Sequence, residues 1–264
     1  MEPIQRMEIP GEIEDYTGCI KKLSFPRQGS TSDVAIVDTG SETYILKRAS
    51  HPLYRTWLRK EALFLQKWEG KVAVTVPRIY KVVDLTDQGD VWVLMERFAG
   101  ETLRNCLLKE QKKERKEELI FAFGKAMANI HQSAVPMVAE TQASWLDGML
   151  EQAEHNLRHY GTDGSFELLE KLKKNHPAPV QQTLVHGDFT VDNVLIHNRD
   201  VAAVIDWSGG AYGDPRYDAA LAIRPKECAF HTDADSRVFF EGYGKNILGS
   251  GDYEYFADGL YEFF

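Results

Sequence analysis

The sequence predicts an α+β protein of two lobes, a small β-rich N-terminal lobe with one main helix over residues 1–97 and a larger, mainly helical C-terminal lobe over 98–264. Three observations predict it. Short apolar runs bounded by turn residues dominate the first hundred positions. One long segment of helical periodicity interrupts them after Pro52. Beyond Gly100 the apolar spacing becomes helical, apart from a group of short strands near residues 183–205. A chain of 264 residues suffices for two lobes that share a cleft.

Taken in order, Asp33–Val37 and Thr43–Lys47 flank the turn-like Asp38-Thr39-Gly40-Ser41 and predict a β-hairpin. Pro52–Trp68 predicts a helix, with Pro52 in its first turn and Gly70 as its stop. Lys81–Asp84 and Val91–Met95 predict two more strands. Glu117–His131 is amphipathic, and the charged run Lys109–Glu118 before it predicts a solvated helix surface. Trp145–Tyr160 and Phe166–Lys174 predict further helices, separated by a break at Gly161-Thr162-Asp163-Gly164 and ended by Pro177 and Pro179. Asp214-Pro215 predicts a helix start, an N-cap followed by proline at the first helical position.

Composition narrows the function. The hydrophobic share of 43% suits a soluble globular protein, and no apolar run approaches the roughly 20 residues that span a bilayer. A net charge of −9 disfavours nucleic acid as a partner and would attract a cationic one. Residues 225–264 hold eight acids against Lys226, Arg237 and Lys245, a local balance of −5. The acidic N-terminus is unlike a signal or transit peptide, and Cys19, Cys106 and Cys228 are widely spaced, so the expectation is a reducing cytoplasm with no membrane association.

The chemistry concentrates between Thr183 and Arg224. The short apolar strand Thr183–Val185 runs into His186-Gly187-Asp188, and Asn193 follows five residues after Asp188. Val194–Ile196 and Ala202–Ile205 predict a hairpin around a turn at Asn198–Val201, with paired positions summing to 399. Asn193 then faces Asp206 with Cβ atoms about 5 Å apart. Two oxygen ligands at the open end of a rigid ribbon suit Mg²⁺, which keeps its other positions for water and substrate phosphates. Asp188, just before the ribbon, is placed to accept or orient a hydroxyl proton.

His186-Gly187-Asp188-x4-Asn193 followed by Ile205-Asp206-Trp207 resembles the catalytic and metal motifs of the aminoglycoside phosphotransferase family, which shares its core with choline kinases and, more distantly, protein kinases. The resemblance covers nearly the whole chain. It implies a protein-kinase-like fold, Asp188 as catalytic residue, Asn193 and Asp206 as Mg²⁺ ligands, and ATP or GTP as phosphoryl donor. It further implies that His186 holds the loop and that Asp218 braces it, consistent with a carboxylate in apolar company needing a partner.

The nucleotide half follows. Leu58, Glu61, Leu65 and Trp68 share one helical face, so Glu61 is a carboxylate on an apolar stripe and needs a buried partner. Lys47 at a strand end is the candidate, and such a pair orients the lysine onto nucleotide phosphates in the kinase fold. Ser30 and Thr31 lie in Gly29-Ser30-Thr31-Ser32, where the family has a nucleotide-positioning loop. Glu96 and Phe98 lie where the family has its hinge, so their backbone is expected to meet the base edge.

Two features oppose a protein kinase: Gly187 stands where regulated protein kinases carry Arg, and only seven residues separate Asp206 from Asp214, too few for the usual activation loop. No Gly-x4-Gly-Lys-Ser/Thr loop supports an unrelated NTPase, and the full residue set opposes a catalytically inactive scaffold. The ending Leu260-Tyr261-Glu262-Phe263-Phe264 resembles that of 3′-aminoglycoside phosphotransferases, which hold cationic antibiotic rings with acidic groups and the terminal carboxylate. Tyr261 and Pro225 replace two acids of that pattern. The resemblance of the ending still implies a small-molecule acceptor, an aminoglycoside or similar cation, contacted by Glu262 and Phe264; choline, sugars, homoserine and macrolides are the family's other acceptors.

Overall fold

The computed structural model describes residues 3–26, 29, 31–85, 87, 89–134 and 144–264. A single 3-10 turn at Arg6–Glu8 precedes α1 (Gly11–Thr17) and β1 (Lys22–Ser24). Then come β2 (Asp33–Asp38), β3 (Thr43–Ala49), α2 (Pro52–Trp68), β4 (Ile79–Leu85) and β5 (Asp90–Glu96). The five strands form one antiparallel sheet in the order β1-β2-β3-β5-β4. Strict alternation of buried and half-buried positions along β2 turns Ala35 and Val37 into the core beneath the sheet.

The remaining elements are β6 (Glu101–Thr102), α3 (Leu103–Lys109), α4 (Lys113–His131), α5 (Trp145–His159), α6 (Phe166–Lys174), β7 (Thr183–Val185), β8 (Val194–His197), β9 (Asp200–Val204), β10 (Ala211–Gly213), α7 (Pro215–Ala222), α8 (Asp233–Tyr243), α9 (Asp252–Phe256) and a 3-10 turn at Leu260–Phe263. The architecture is α+β, a sheet-based N-terminal part followed by a mainly helical one, as the sequence predicts. The charged run at 109–118 is broken rather than continuous, because the Glu110 carboxylate caps the N–H groups of Gln111 and Lys112 at 2.9 and 3.0 Å and α4 starts afresh at Lys113. Among the described residues, no helix is long and apolar enough to cross a membrane.

The α2 helix joins the two parts. Pro52 sits in its first turn, where a missing N–H costs nothing. Phe64, Leu65 and Trp68 bury into the core of the helical part, and Phe64 stacks on Trp207 with centroids 5.1 Å apart. Glu61 lies one turn before Phe64, so this packing carries it to the residue beside Asp206.

One predicted register is corrected. The β8–β9 turn is one residue earlier than expected: Asn198 and Arg199 both take positive φ, 50° and 73°, the twist a two-residue hairpin needs. His197 therefore pairs with Asp200, and a bulge at Ala202 shifts the ladder so that Val194 pairs with Val204. Asn193 stands opposite Ile205, whose N–H it accepts at 2.9 Å. Asp206 lies one step beyond the ladder rather than facing Asn193.

Candidate active site

The loop after β7 is held from below. Gly187 has φ +84°, and a Cβ there would overlap the backbone of Gly209. The N–H groups of His186 and Gly187 donate to the two oxygens of Asp218 at 2.6 and 2.8 Å. Asp218 is fully buried on α7, with His131 Nε2 3.2 Å away and Tyr243 Oη 3.0 Å from the other nitrogen of that ring. His186 donates from Nε2 to the Ile205 carbonyl at 2.9 Å and accepts the Asp188 N–H at Nδ1, 3.2 Å. Both bonds suit a neutral ring, and burial pushes its pKa down. The positions expected to hold the loop thus lie directly under it.

Asp188 stands above this base. Asn193 Nδ2 donates to its Oδ2 and to its backbone carbonyl, both at 2.8 Å, and Tyr261 Oη donates to Oδ1 at 3.0 Å. Burial, and then the nearby Asp206 charge, push the Asp188 pKa up to about 7, against the opposing pull of the two side-chain donors. A carboxyl poised there suits proton transfer near neutral pH. Each of its oxygens keeps a second acceptor lobe for an incoming hydroxyl.

Lys47 links the sheet to this loop. Its Nζ donates to both oxygens of Glu61 at 2.8 Å and to Asp206 Oδ1 at 3.2 Å. The Lys47 and Glu61 side chains are 11% and 2% exposed, so neither charge could stand there unpaired. Burial alone would push the ammonium pKa down; the Asp206 and Glu61 carboxylates outweigh it and hold it up. The same ammonium holds Asp206 below the usual carboxylate range. Asp206 has φ +68°, a conformation few non-glycine residues adopt, and its side chain is 42% exposed in the cleft.

The cleft between the sheet and the helical part measures about 1960 Å³, larger than the roughly 300–1,000 Å³ of a single small-molecule site, so it has room for two molecules side by side. Lys47, Thr31, Glu96, Phe98, Asp188, Asn193, Asp206 and Phe264 all line it. The Glu96 N–H donates to the Arg78 carbonyl at 2.9 Å, so a base contact from Glu96 falls to its own carbonyl. Ser30 lies outside the described residues.

The expectation for Glu262 is corrected: it does not line the cleft, and its carboxylate pairs with Arg224 at 3.3 Å. Nor, among the described lining, do any of the other seven acids of residues 225–264 reach it. Their side chains belong to other surfaces. Sequence reasoning missed His131, whose signal was only a histidine at the end of an amphipathic helix. It also missed the Tyr261 contact to Asp188, for which the aromatic ending was the only hint.

An antiparallel sheet whose Lys47–Glu61 pair reaches Asp206, set over a loop carrying Asp188 and Asn193, defines a protein-kinase-like fold. The family model described as "Phosphotransferase enzyme family" matches residues 22–256, and the chain belongs to that family. Among solved structures, the gentamicin complex of APH(2")-IIa aligns with a TM-score of 0.71 at 17% identity, covering 98% of this chain and 86% of that one. The apo form of a thermostable mutant of aminoglycoside phosphotransferase APH(4)-Ia aligns at 0.68 and 20% identity, covering 94% and 87%. At these identities the likeness speaks to the fold. Among curated proteins, acyl-CoA dehydrogenase family member 10 of Mus musculus is 28% identical over 223 residues, 78% of this chain and 20% of that protein. The chain spans only about a fifth to a third of the length of the relatives carrying acyl-CoA dehydrogenase names.

Proposed function

We propose that this chain is a Mg²⁺-dependent kinase that transfers the γ-phosphoryl group of ATP or GTP to a hydroxyl of a small molecule. The observation that carries the reading is the convergence at one cleft of the Asp188–Asn193 pair and of Lys47 bridging Glu61 and Asp206. Val34, Ile45 and Met95 of the five-stranded sheet and Leu195 of β8 offer apolar walls for a base, near the backbone of Glu96 and Phe98. Thr31 lines the same cleft and would cover the phosphates, and Lys47, oriented by Glu61, would meet them.

The donor set fits a magnesium ion. Asn193 donates from Nδ2 to Asp188, so its amide oxygen is the atom left for a cation, and Asp206 supplies a carboxylate. These are the hard oxygen donors that Mg²⁺ takes alongside water and phosphate. Bound there, the ion would neutralise charge on the phosphates.

Asp188 would receive the acceptor hydroxyl and orient its oxygen. That oxygen bonds to the γ-phosphorus as the bond to the β–γ bridging oxygen breaks. The nucleoside diphosphate leaves with the electron pair, and the hydroxyl proton passes to Asp188. The reading places this chemistry in the cytoplasm. A second reading, of an acceptor hydroxyl carried on an acyl compound, is favoured by the names of the curated relatives.

The test is calorimetric titration of the protein with ATP and with GTP, with Mg²⁺ and with EDTA. Binding of at least one nucleotide, weakened about tenfold or more by EDTA, is expected, a difference of about 1.4 kcal/mol. Failure of both nucleotides to bind overturns the reading.

A further inference from the structure

The cleft wall beyond Asp188 differs in kind from the nucleotide side. Trp145, Met149 and Gln152 from α5, Gln182 from the segment before β7, Tyr212 from β10, and Phe264 line it, and none of the six side chains is charged. The wall is built firmly. Trp145 meets Tyr217 edge-on at 5.5 Å, Asn156 on α5 donates to the Phe263 carbonyl at 2.9 Å, and Tyr261 ties the C-terminal turn to Asp188.

Among the described residues, each acidic side chain that lines the cleft accepts at least one hydrogen bond. Asp188 is held by Asn193 and Tyr261, Asp206 by Lys47, and Asp192 by two bonds from Arg104 at 2.5 and 2.8 Å. Glu101 pairs with Lys109, and Glu96 accepts the Arg78 N–H at 3.3 Å. Lys226 lines the cleft as well, and its positive charge is felt at Asp188. A protonated amine packed on this wall would lose water without gaining, among the described side chains, a carboxylate that lacks a hydrogen-bond partner, and it would meet Lys226. An apolar body gains from burial against the aromatic wall.

Building on the kinase reading, we propose that the acceptor is a hydroxyl compound without positive charge, its apolar body packed on the wall of Trp145, Met149, Tyr212 and Phe264. Its hydroxyl reaches Asp188 beside the Tyr261 phenol, sharing Oδ1 through the second lone pair.

The experiment uses the full chain with Mg²⁺ and the nucleotide it binds. Nucleoside diphosphate release is measured with a library of alcohols in matched triplets, for example 1,6-hexanediol, 6-hydroxyhexanoate and 6-amino-1-hexanol, extended to aromatic and branched bodies. Gentamicin and hygromycin B serve as cationic probes. The best substrates are expected among uncharged or anionic members, with kcat/KM about tenfold or more above their amine counterparts, the scale of one unfavourable charge contact. Tyr212 is half-exposed, so Tyr212→Glu should fold; it is expected to narrow that preference roughly fivefold by adding a carboxylate to the wall.

An amine, gentamicin or hygromycin B emerging as the best acceptor overturns the proposal. So does a complete lack of turnover while Mg²⁺-nucleotide binding persists, because the wall is then no acceptor surface. Loss of nucleotide binding itself would instead bring down the kinase reading and this inference with it.

Discussion

Tyr261 and Asp188 lie 73 positions apart in the chain, and the Tyr261 phenol donates to Asp188 Oδ1 at 3.0 Å. The phenol is fixed in turn: Arg224 lies over its ring at 4.8 Å and pairs with Glu262, the next residue. Burial and the Asp188 charge raise the Tyr261 pKa, so it remains a donor across the physiological range. Tyr261 is thus a fixed donor to the Asp188 carboxylate.

Tyr261→Phe keeps the ring and removes that donor. The loss of one such bond, about 1–1.5 kcal/mol, is expected to lower kcat/KM for the acceptor by roughly fivefold to tenfold. Mg²⁺-nucleotide affinity should stay within about twofold, because the Tyr261 hydroxyl bonds to Asp188 Oδ1 and not to Lys47, Asn193 or Asp206. Steady-state kinetics and a nucleotide titration on the same preparation check both parts.

Glu61→Ala leaves the buried Lys47 with Asp206 as its one remaining carboxylate. Breaking a buried pair from one side costs about 3 kcal/mol. A lower urea midpoint and a nucleotide affinity weakened about tenfold are the expected results, the latter because Lys47 loses its orientation. Unchanged nucleotide affinity would show that Lys47 does not meet the phosphates.

Gly187→Ala puts a methyl group against the Gly209 backbone at a φ of +84°. Both effects are unfavourable, and a destabilisation of about 2 kcal/mol or more is expected. Because the strained residue immediately precedes Asp188, turnover should fall further than stability alone explains when assayed well below the melting temperature.

Most of the architecture was legible in the sequence because local patterns carried it. The helix at Pro52–Trp68 has Pro52 in its first turn and an apolar stripe, and the structure places it at those residues. The pairing of Lys47 with Glu61 was legible because a carboxylate on an apolar stripe demands a cation nearby. The β8–β9 register was not, since the twist of Asn198-Arg199 and the Ala202 bulge are backbone choices that residue type barely constrains. Tyr261 and His131 were hidden for another reason: their contacts arise only when distant segments of the chain pack, and neither residue stands out within its own segment. That the acids of residues 225–264 lie off the cleft was not legible either, because a run of charge does not say which way its side chains face.

Asp218→Asn keeps the shape but removes the charge that receives the His186 and Gly187 N–H groups. Hydrogen bonds to a charged group contribute about 1.5–3 kcal/mol, so a destabilisation of about 3 kcal/mol is expected for the pair. Denaturant unfolding measures it. A turnover loss exceeding the change in nucleotide affinity would mark Asp218 as positioning the loop under Asp188.

The most direct measurement is the turnover of Asp188→Asn with the best acceptor from the matched library, set beside its Mg²⁺-nucleotide affinity. A fall of about 100-fold or more in kcat is expected, with nucleotide affinity nearly constant, as fits a group acting on the acceptor hydroxyl in the transfer step. Near-wild-type turnover in that variant would contradict the assignment of phosphoryl transfer to Asp188.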